Sequence, residues 1–233
     1  MSAASGKTEK NASDDLSVPE KLNDFLQKNR FRLLIGLISV LVILAGFVIF
    51  NVINDKIKSN AFAKVDDLNR RYEALQSSIG DVESGNQADI DALLADLDSF
   101  CGKSAGFAAA RAWSISASIH WERSNWAEAE KAWSASAKAA GKSYLAPVSL
   151  YNAAMAAEEQ GKVNDAIALL GSTLDYGNGF PAAAKAQFSI GRLEESRGNT
   201  DAALEAYRAL LSKWPGDQVW ANLAQSRIIV LSE

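Results

Sequence analysis

The chain has 233 residues, 48% of them hydrophobic, with only four prolines and a formal net charge of −4. This is enough apolar material for one domain with accessories, and the heavy use of Ala, Leu, Glu and Lys favours helix over strand. A pI near 5.2 leaves no basic footprint for nucleic acid.

Met1 to about Ser17 is polar, small and charged, which reads as a disordered tail. Pro19 then suits the first turn of a helix that leads into an apolar run. That run, Leu33 to Ile53, is interrupted only by Gly36, Ser39, Ala45, Gly46 and Asn51. At about 1.5 Å per residue it spans roughly 30 Å, the thickness of a bilayer's hydrocarbon core. Its Leu, Ile, Val and Phe side chains give an insertion free energy on the order of −5 kcal/mol. The run therefore predicts a transmembrane helix at 33–53, after a cytoplasmic 1–32.

Lys21, Lys28, Arg30 and Arg32 precede the run, whereas Lys56, Lys58 and Lys64 follow it beside Asp55, Asp66 and Asp67. The positive-inside bias then favours a cytoplasmic N-terminus, with everything from about Asn54 outside the cytoplasm. Ala61-Phe62-Ala63 has the form of a cleavage site but lies too far beyond an over-long apolar stretch, so an uncleaved anchor is expected.

Ile57, Ala61, Val65, Leu68, Tyr72, Leu75 and Ile79 recur at spacings of four and three, one stripe of a long helix. Two roles compete for this stripe: a membrane-proximal coiled coil, and packing onto the following repeats, which the short stripe without ordered e/g charges favours. A loop at Gly80 to Gln87 and a helix at about Ala88 to Phe100, with Ile90, Leu93, Leu94 and Leu97 on one face, complete a degenerate opening repeat over 54–106. Gly102 to Gly106 is its linker.

From there to the end, 107–233, one pattern returns every 37 residues, with units at 110–146, 147–183 and 184–220. Ala110, Pro147 and Ala184 open them. Ser124, Gly161 and Gly198 share one turn position, followed by Asn125, Lys162 and Asn199. Ala129, Ala166 and Ala203 coincide next, then the bulky Trp133, Leu170 and Tyr207, and Gly141, Asn178 and Pro215 close the units. Two amphipathic helices per unit at such a period predict an all-α solenoid in which each unit buries its apolar face on the next. Gln218 to Leu231 fits a single helix capping the array.

Catalytic patterns do not assemble. His120 and Cys101 are the sole histidine and cysteine, read as a half-buried helical residue and a small apolar filler, so no metal site and no nucleophile are expected. Gly102-Lys103-Ser104 resembles the end of a phosphate loop, but Leu97 stands where its opening glycine belongs. Glu158-Glu159 and Glu194-Glu195 are helix neighbours that point about 100° apart and do not face one another. No enzyme activity and no cofactor are expected.

The repeat resembles the tetratricopeptide family, most closely in its third copy through Ile190-Gly191, Gly198-Asn199, Ala203, Tyr207 and Pro215. The first copy carries that family's early tryptophan as Trp113. This resemblance implies a TPR-like α-solenoid whose first helices line a concave groove for a protein or peptide. Carried over position by position, the groove residues are Arg111, Val148 and Lys185; Ser114, Tyr151 and Phe188; Ser118, Met155 and Arg192; and Trp121, Glu158 and Glu195. Arg111, Trp121, Tyr151, Met155, Lys185, Phe188 and Arg192 form the expected partner-binding strip, because aromatic, Met and Arg side chains carry most interface energy. The competing role for Tyr151, Phe188 and Trp121 is packing between units.

A short tail, one anchor, a long helix and degenerate repeats also form a layout similar to the YfgM-like ancillary subunits of the Sec translocon, with Asp24-Phe25-Leu26 and Lys28-Asn29 before the anchor. That resemblance implies an inner-membrane protein with a periplasmic domain, contacting emerging polypeptides or periplasmic chaperones. The alternative is an envelope-assembly or division scaffold that holds one fixed protein partner.

Overall fold

The computed structural model describes residues 18–79, 85–177 and 180–233, and among them every regular element is helical. The expected tail, most of the Gly80–Gln87 loop and the closing Asn178 lie outside the described residues. Among the described residues, nine α-helices follow one another: α1 (Val18–Leu75), α2 (Gln87–Cys101), α3 (Gly106–Glu122), α4 (Trp126–Ala140), α5 (Leu145–Glu159), α6 (Val163–Leu174), α7 (Ala183–Ser196), α8 (Thr200–Lys213) and α9 (Gln218–Leu231). The chain divides into two compact units at Ile57/Lys58.

In the first unit, α1 is long and apolar enough to cross a membrane, and none of its most apolar stretch is buried. That sets it apart from a core helix of a soluble protein, which hides such side chains. Its polar residues bond within the helix: Ser39 Oγ donates to the Ile35 carbonyl at 2.8 Å and Asn51 Nδ2 to the Phe47 carbonyl at 3.0 Å. Side chains satisfied in this way need no water.

The second unit is a row of helix pairs. Val65 and Leu68, on the C-terminal half of α1, are fully buried with Ile90, Leu93 and Leu97 of α2 and Ile115 and Ile119 of α3. The stripe thus packs onto its own chain. Two of its expected members differ: Ile57 is exposed, and Ile79 lies past Leu75, where α1 gives way to a short 3-10 turn at Gln76–Ser78. The next cluster joins α3, α4 and α5 through Ala117, Trp133 and Ala153, and another joins α5, α6 and α7 through Ala154, Leu170 and Leu193. A further cluster carries Tyr207, Leu210 and Ala224 across α8 and α9. The core is a series of such clusters with no common centre, as stacked repeats require.

The first helices begin at Gly106, Leu145 and Ala183, so the pairs start earlier than the sequence marks of Ala110, Pro147 and Ala184. Helix continues N-terminally wherever nothing breaks it, and the marks record where the pattern becomes periodic.

One turn geometry recurs three times. Ser124, Gly161 and Gly198 have φ of 57°, 71° and 76°. Asn125, Lys162 and Asn199, one residue on, donate their N–H to the carbonyls of His120, Ala157 and Glu194 at 2.8–2.9 Å. The turn residues donate to Trp121, Glu158 and Glu195. These are the two bonds of a Schellman motif. The Asn125, Lys162 and Asn199 carbonyls then accept from Ala129, Ala166 and Ala203, so the residue that ends one helix starts the next.

Within each pair, a small residue faces a large one. A Cβ added at Gly191 would lie 2.5 Å from Tyr207 Cε1, so only glycine admits this ring. At the corresponding positions, Ala154 shares a core with Leu170 and Ala117 with Trp133.

Stability changes follow at the turns and at the close approach. Ser124 is the only non-glycine with positive φ among the described residues, so Ser124→Gly should stabilise by about 0.5–1 kcal/mol, whereas Gly161→Ala should destabilise by about 1 kcal/mol. Opposite shifts of the urea midpoint are the expected readout. Gly191→Ala should lower the midpoint by an amount equivalent to about 1–2 kcal/mol, because overpacking against Tyr207 outweighs the helix propensity of alanine. In a Tyr207→Leu background, where the ring is gone, the same Gly191→Ala change should cost much less, although Tyr207→Leu lowers the midpoint on its own account.

Candidate functional site

The first helices α3, α5 and α7 present the residues expected to bind a partner, and the structure sorts them into three groups. At the start of the array, the C-terminal half of α1 lies against α3. Arg111 pairs with Asp66 at 2.6 Å, and the Tyr72 hydroxyl donates to Glu122 at 3.0 Å. Burial and this carboxylate together push the Tyr72 hydroxyl up to about 12. A cleft of about 260 Å³ remains between Asn69, Tyr72, Arg111, Ser114, Ser118 and Tyr144. Arg111 therefore belongs to a junction within the chain. Trp121 stacks edge-on to Trp126 at 4.7 Å and lies 5.5 Å from Trp133, which makes it a packing residue of the first pair.

At the far end, α9 folds over the third pair. Phe188 sits between Tyr207 and Trp220, with ring centroids 5.3 Å from each. Glu195 pairs with Arg227 of α9 and accepts from the Tyr207 hydroxyl at 3.0 Å. The Arg227 hydrogen bond holds the Glu195 carboxyl below the ordinary glutamate range, and burial followed by Glu195 raises Tyr207 to about 12. A cleft of about 360 Å³ beside this group is lined by Phe188, Arg192, Glu195 and Arg227.

Between these ends, α5 and α7 carry the remaining four. Tyr151 is half-buried, with Phe180 beside it at 6.1 Å and the Lys185 ammonium 5.1 Å over its ring. Such a cation–π contact positions the lysine while leaving its N–H donors outward. One turn along α5, Met155 packs half-buried against the same core. Arg192 forms a two-pronged pair with Glu158, both bonds 2.7 Å, which fixes a planar guanidinium on the surface. Tyr151, Met155, Lys185 and Arg192 thus make a strip across two neighbouring units.

Sequence reasoning missed Asp66, Tyr72, Trp220 and Arg227, the groups that cover the two ends of this face. Asp66 and Tyr72 lie on a helix whose packing partner had two candidates. Trp220 and Arg227 belong to α9, read from its apolar residues as a cap, with no signal for which face its polar ones take.

Burial marks the single cysteine and the single histidine. Burial raises the Cys101 thiol to about 12, which keeps it protonated and a poor nucleophile. His120 is shifted down by burial, with its Nδ1 lacking a hydrogen-bond partner. Among the described residues there is no cluster of three or more metal-capable side chains.

Paired helices that bury their apolar faces on one another, and offer a mixed aromatic and charged strip, define a helical-repeat protein. A family model for the tetratricopeptide repeat matches residues 151–218. A TPR repeat-containing protein of Treponema pallidum (strain Nichols) is 33% identical over 230 residues, covering 91% of this chain and 93% of that protein. The chain belongs to the tetratricopeptide repeat family. Among solved structures, it is similar to YrrB, described as a TPR protein with an unusual peptide-binding site, at 16% identity and TM-score 0.47 over 73% of this chain and 81% of that one. It is also similar to MamA at 18% identity and TM-score 0.45, over 68% and 87%.

The Glu195–Arg227 pair fastens α9, and the lowered carboxyl means that its contribution is full above the ordinary pKa of 4.5 and fades as pH falls below it. Glu195→Gln should therefore lower Tm at pH 6, with the difference from wild type shrinking progressively as the pH is taken below 4.5. A difference that stays constant down the acid limb would show that the pair is not the fastening.

Proposed function

We propose that the chain is a membrane-anchored scaffold that holds a polypeptide against the strip of α5 and α7, without a catalytic role of its own. The observation that carries this reading is the strip itself. Tyr151 and Met155 offer half-buried apolar surface, Lys185 offers free donors, and the Arg192–Glu158 pair is fixed beside them. Rigid aromatic and arginine anchors of this kind dominate binding at protein interfaces. Arg111, Trp121 and Phe188 then support the strip from either side. The buried thiol of Cys101 favours a binding role over catalysis.

In this reading, Leu33 to Ile53 crosses the bacterial inner membrane, 1–32 lies in the cytoplasm and 54–233 in the periplasm. Exposed apolar side chains along α1 and the lysine and arginine excess before the run support it. A repeat domain tethered at that surface suits work beside the Sec translocon, receiving emerging chains or periplasmic chaperones, as the YfgM-like layout implies. An envelope scaffold with one fixed partner is the second reading, and Arg192 favours it, since its guanidinium is held in one orientation by Glu158 and so presents a fixed surface.

Photo-crosslinking in cells from Tyr151 separates the two. Adducts with translocon subunits, chaperones or several exported chains support the first, and one adduct of constant size the second. In either case, Tyr151→Ala should weaken capture at least about tenfold. Protease added to intact spheroplasts should digest the part after Asn54, and protection of that part would reverse the topology.

A further inference from the structure

One edge of the second unit has a composition that stacking does not explain. The chain enters this unit at Lys58, and Phe62, four residues on, touches Phe107 at the start of α3, with ring centroids 6.4 Å apart. Phe107 in turn lies 5.7 Å from Tyr144, just before α5. Three aromatic rings thus step across the edge where the first helices begin. Tyr144 is 69% exposed and Phe62 39% exposed, although each has a core beside it. Lys103, Lys138 and Lys142 stand at the same connections, all exposed, and among the described residues they enter no ion pair. The acidic residues there are Asp98, Asp175, Asp217, which caps α9, and Asp66, which is one turn along from Phe62 and paired with Arg111. The opposite edge, at the turns, carries exposed Glu128, Glu159, Asp165 and Asp201.

Exposed Tyr and Phe beside unpaired lysines are the residue types that settle at the polar surface of a bilayer. The reach of the chain keeps such contact at hand: only five positions separate Ile53, the end of the apolar run, from Lys58, at most about 3.5 Å each whatever the backbone does. A domain on so short a tether has its entry edge within a few tens of Å of the headgroups at all times.

We propose that this edge, Phe62, Phe107 and Tyr144 with Lys103, Lys138 and Lys142, rests on anionic lipid headgroups of the membrane that holds the anchor. The inference rests on the membrane reading of α1 given above. Docked in this way, the unit keeps its acidic edge away from the bilayer, because carboxylates near an anionic surface are repelled.

The test uses the full chain reconstituted in vesicles of phosphatidylcholine with phosphatidylglycerol. A benzophenone amino acid is placed singly at Val40, Tyr144 or Asp165. Lipid adducts are expected at Val40 and Tyr144 but not at Asp165. The combined substitution K103Q, K138Q and K142Q should cut the Tyr144 adduct at least about fivefold and leave the Val40 adduct unchanged. Adducts at Val40 with none at Tyr144 would overturn the docked edge while the anchor stands. No adduct at Val40 would overturn both. A Tyr144 adduct of the same yield in pure phosphatidylcholine would overturn the choice of anionic headgroups.

Discussion

In each of the three repeats, a small residue on the first helix shares a core with a bulky apolar one on the second: Ala117 with Trp133, Ala154 with Leu170, and Gly191, which lies directly against the ring of Tyr207. This approach sets how closely each pair closes, and therefore which apolar side chains remain for the neighbouring pair to cover. The Schellman turns at Ser124, Gly161 and Gly198 serve the same closure by reversing the chain within two residues. Stacking, the strip on α5 and α7, and the covered ends of that face all follow from pairs made alike.

The two ends of the array are finished differently. At the first, α1 supplies Val65 and Leu68 to the core and Asp66 and Tyr72 to polar contacts with α3. At the last, α9 supplies Trp220 as a lid on Phe188 and Arg227 as a clasp on Glu195. Terminal units of a repeat protein need such covers, because nothing else shields their apolar faces. Here the covers also shorten the uncovered face of the first helices, leaving Tyr151, Met155, Lys185 and Arg192 between them.

Much of this was legible in the residues. The three-fold coincidence of turn, alanine and bulky positions gave the solenoid, because a 37-residue pattern with breakers in register has few structural meanings. Turn residues were recognisable even where Ser124 replaces glycine, since the neighbours on both sides kept their places. The strip was only half legible. Groove positions carried over from a family name Trp121 and Phe188 as readily as Tyr151, and only three-dimensional packing tells a ring wedged between helices from one with a free side. The contacts of α1 and α9 depend on how helices distant in sequence come together, which a pattern along one helix does not encode. The end of α1 at Leu75 was missed for a similar reason: the apolar stripe continues to Ile79, whose side chain is buried from a turn.

Because the apolar clusters succeed one another without a common centre, no pair holds any but its neighbours in place. A chain organised in this way tolerates growth. Duplicating a whole 37-residue block between α6 and α7 would present the same junction twice and ask for no new one, lengthening the strip by one unit's worth of side chains while α1 and α9 stayed as its two end-pieces.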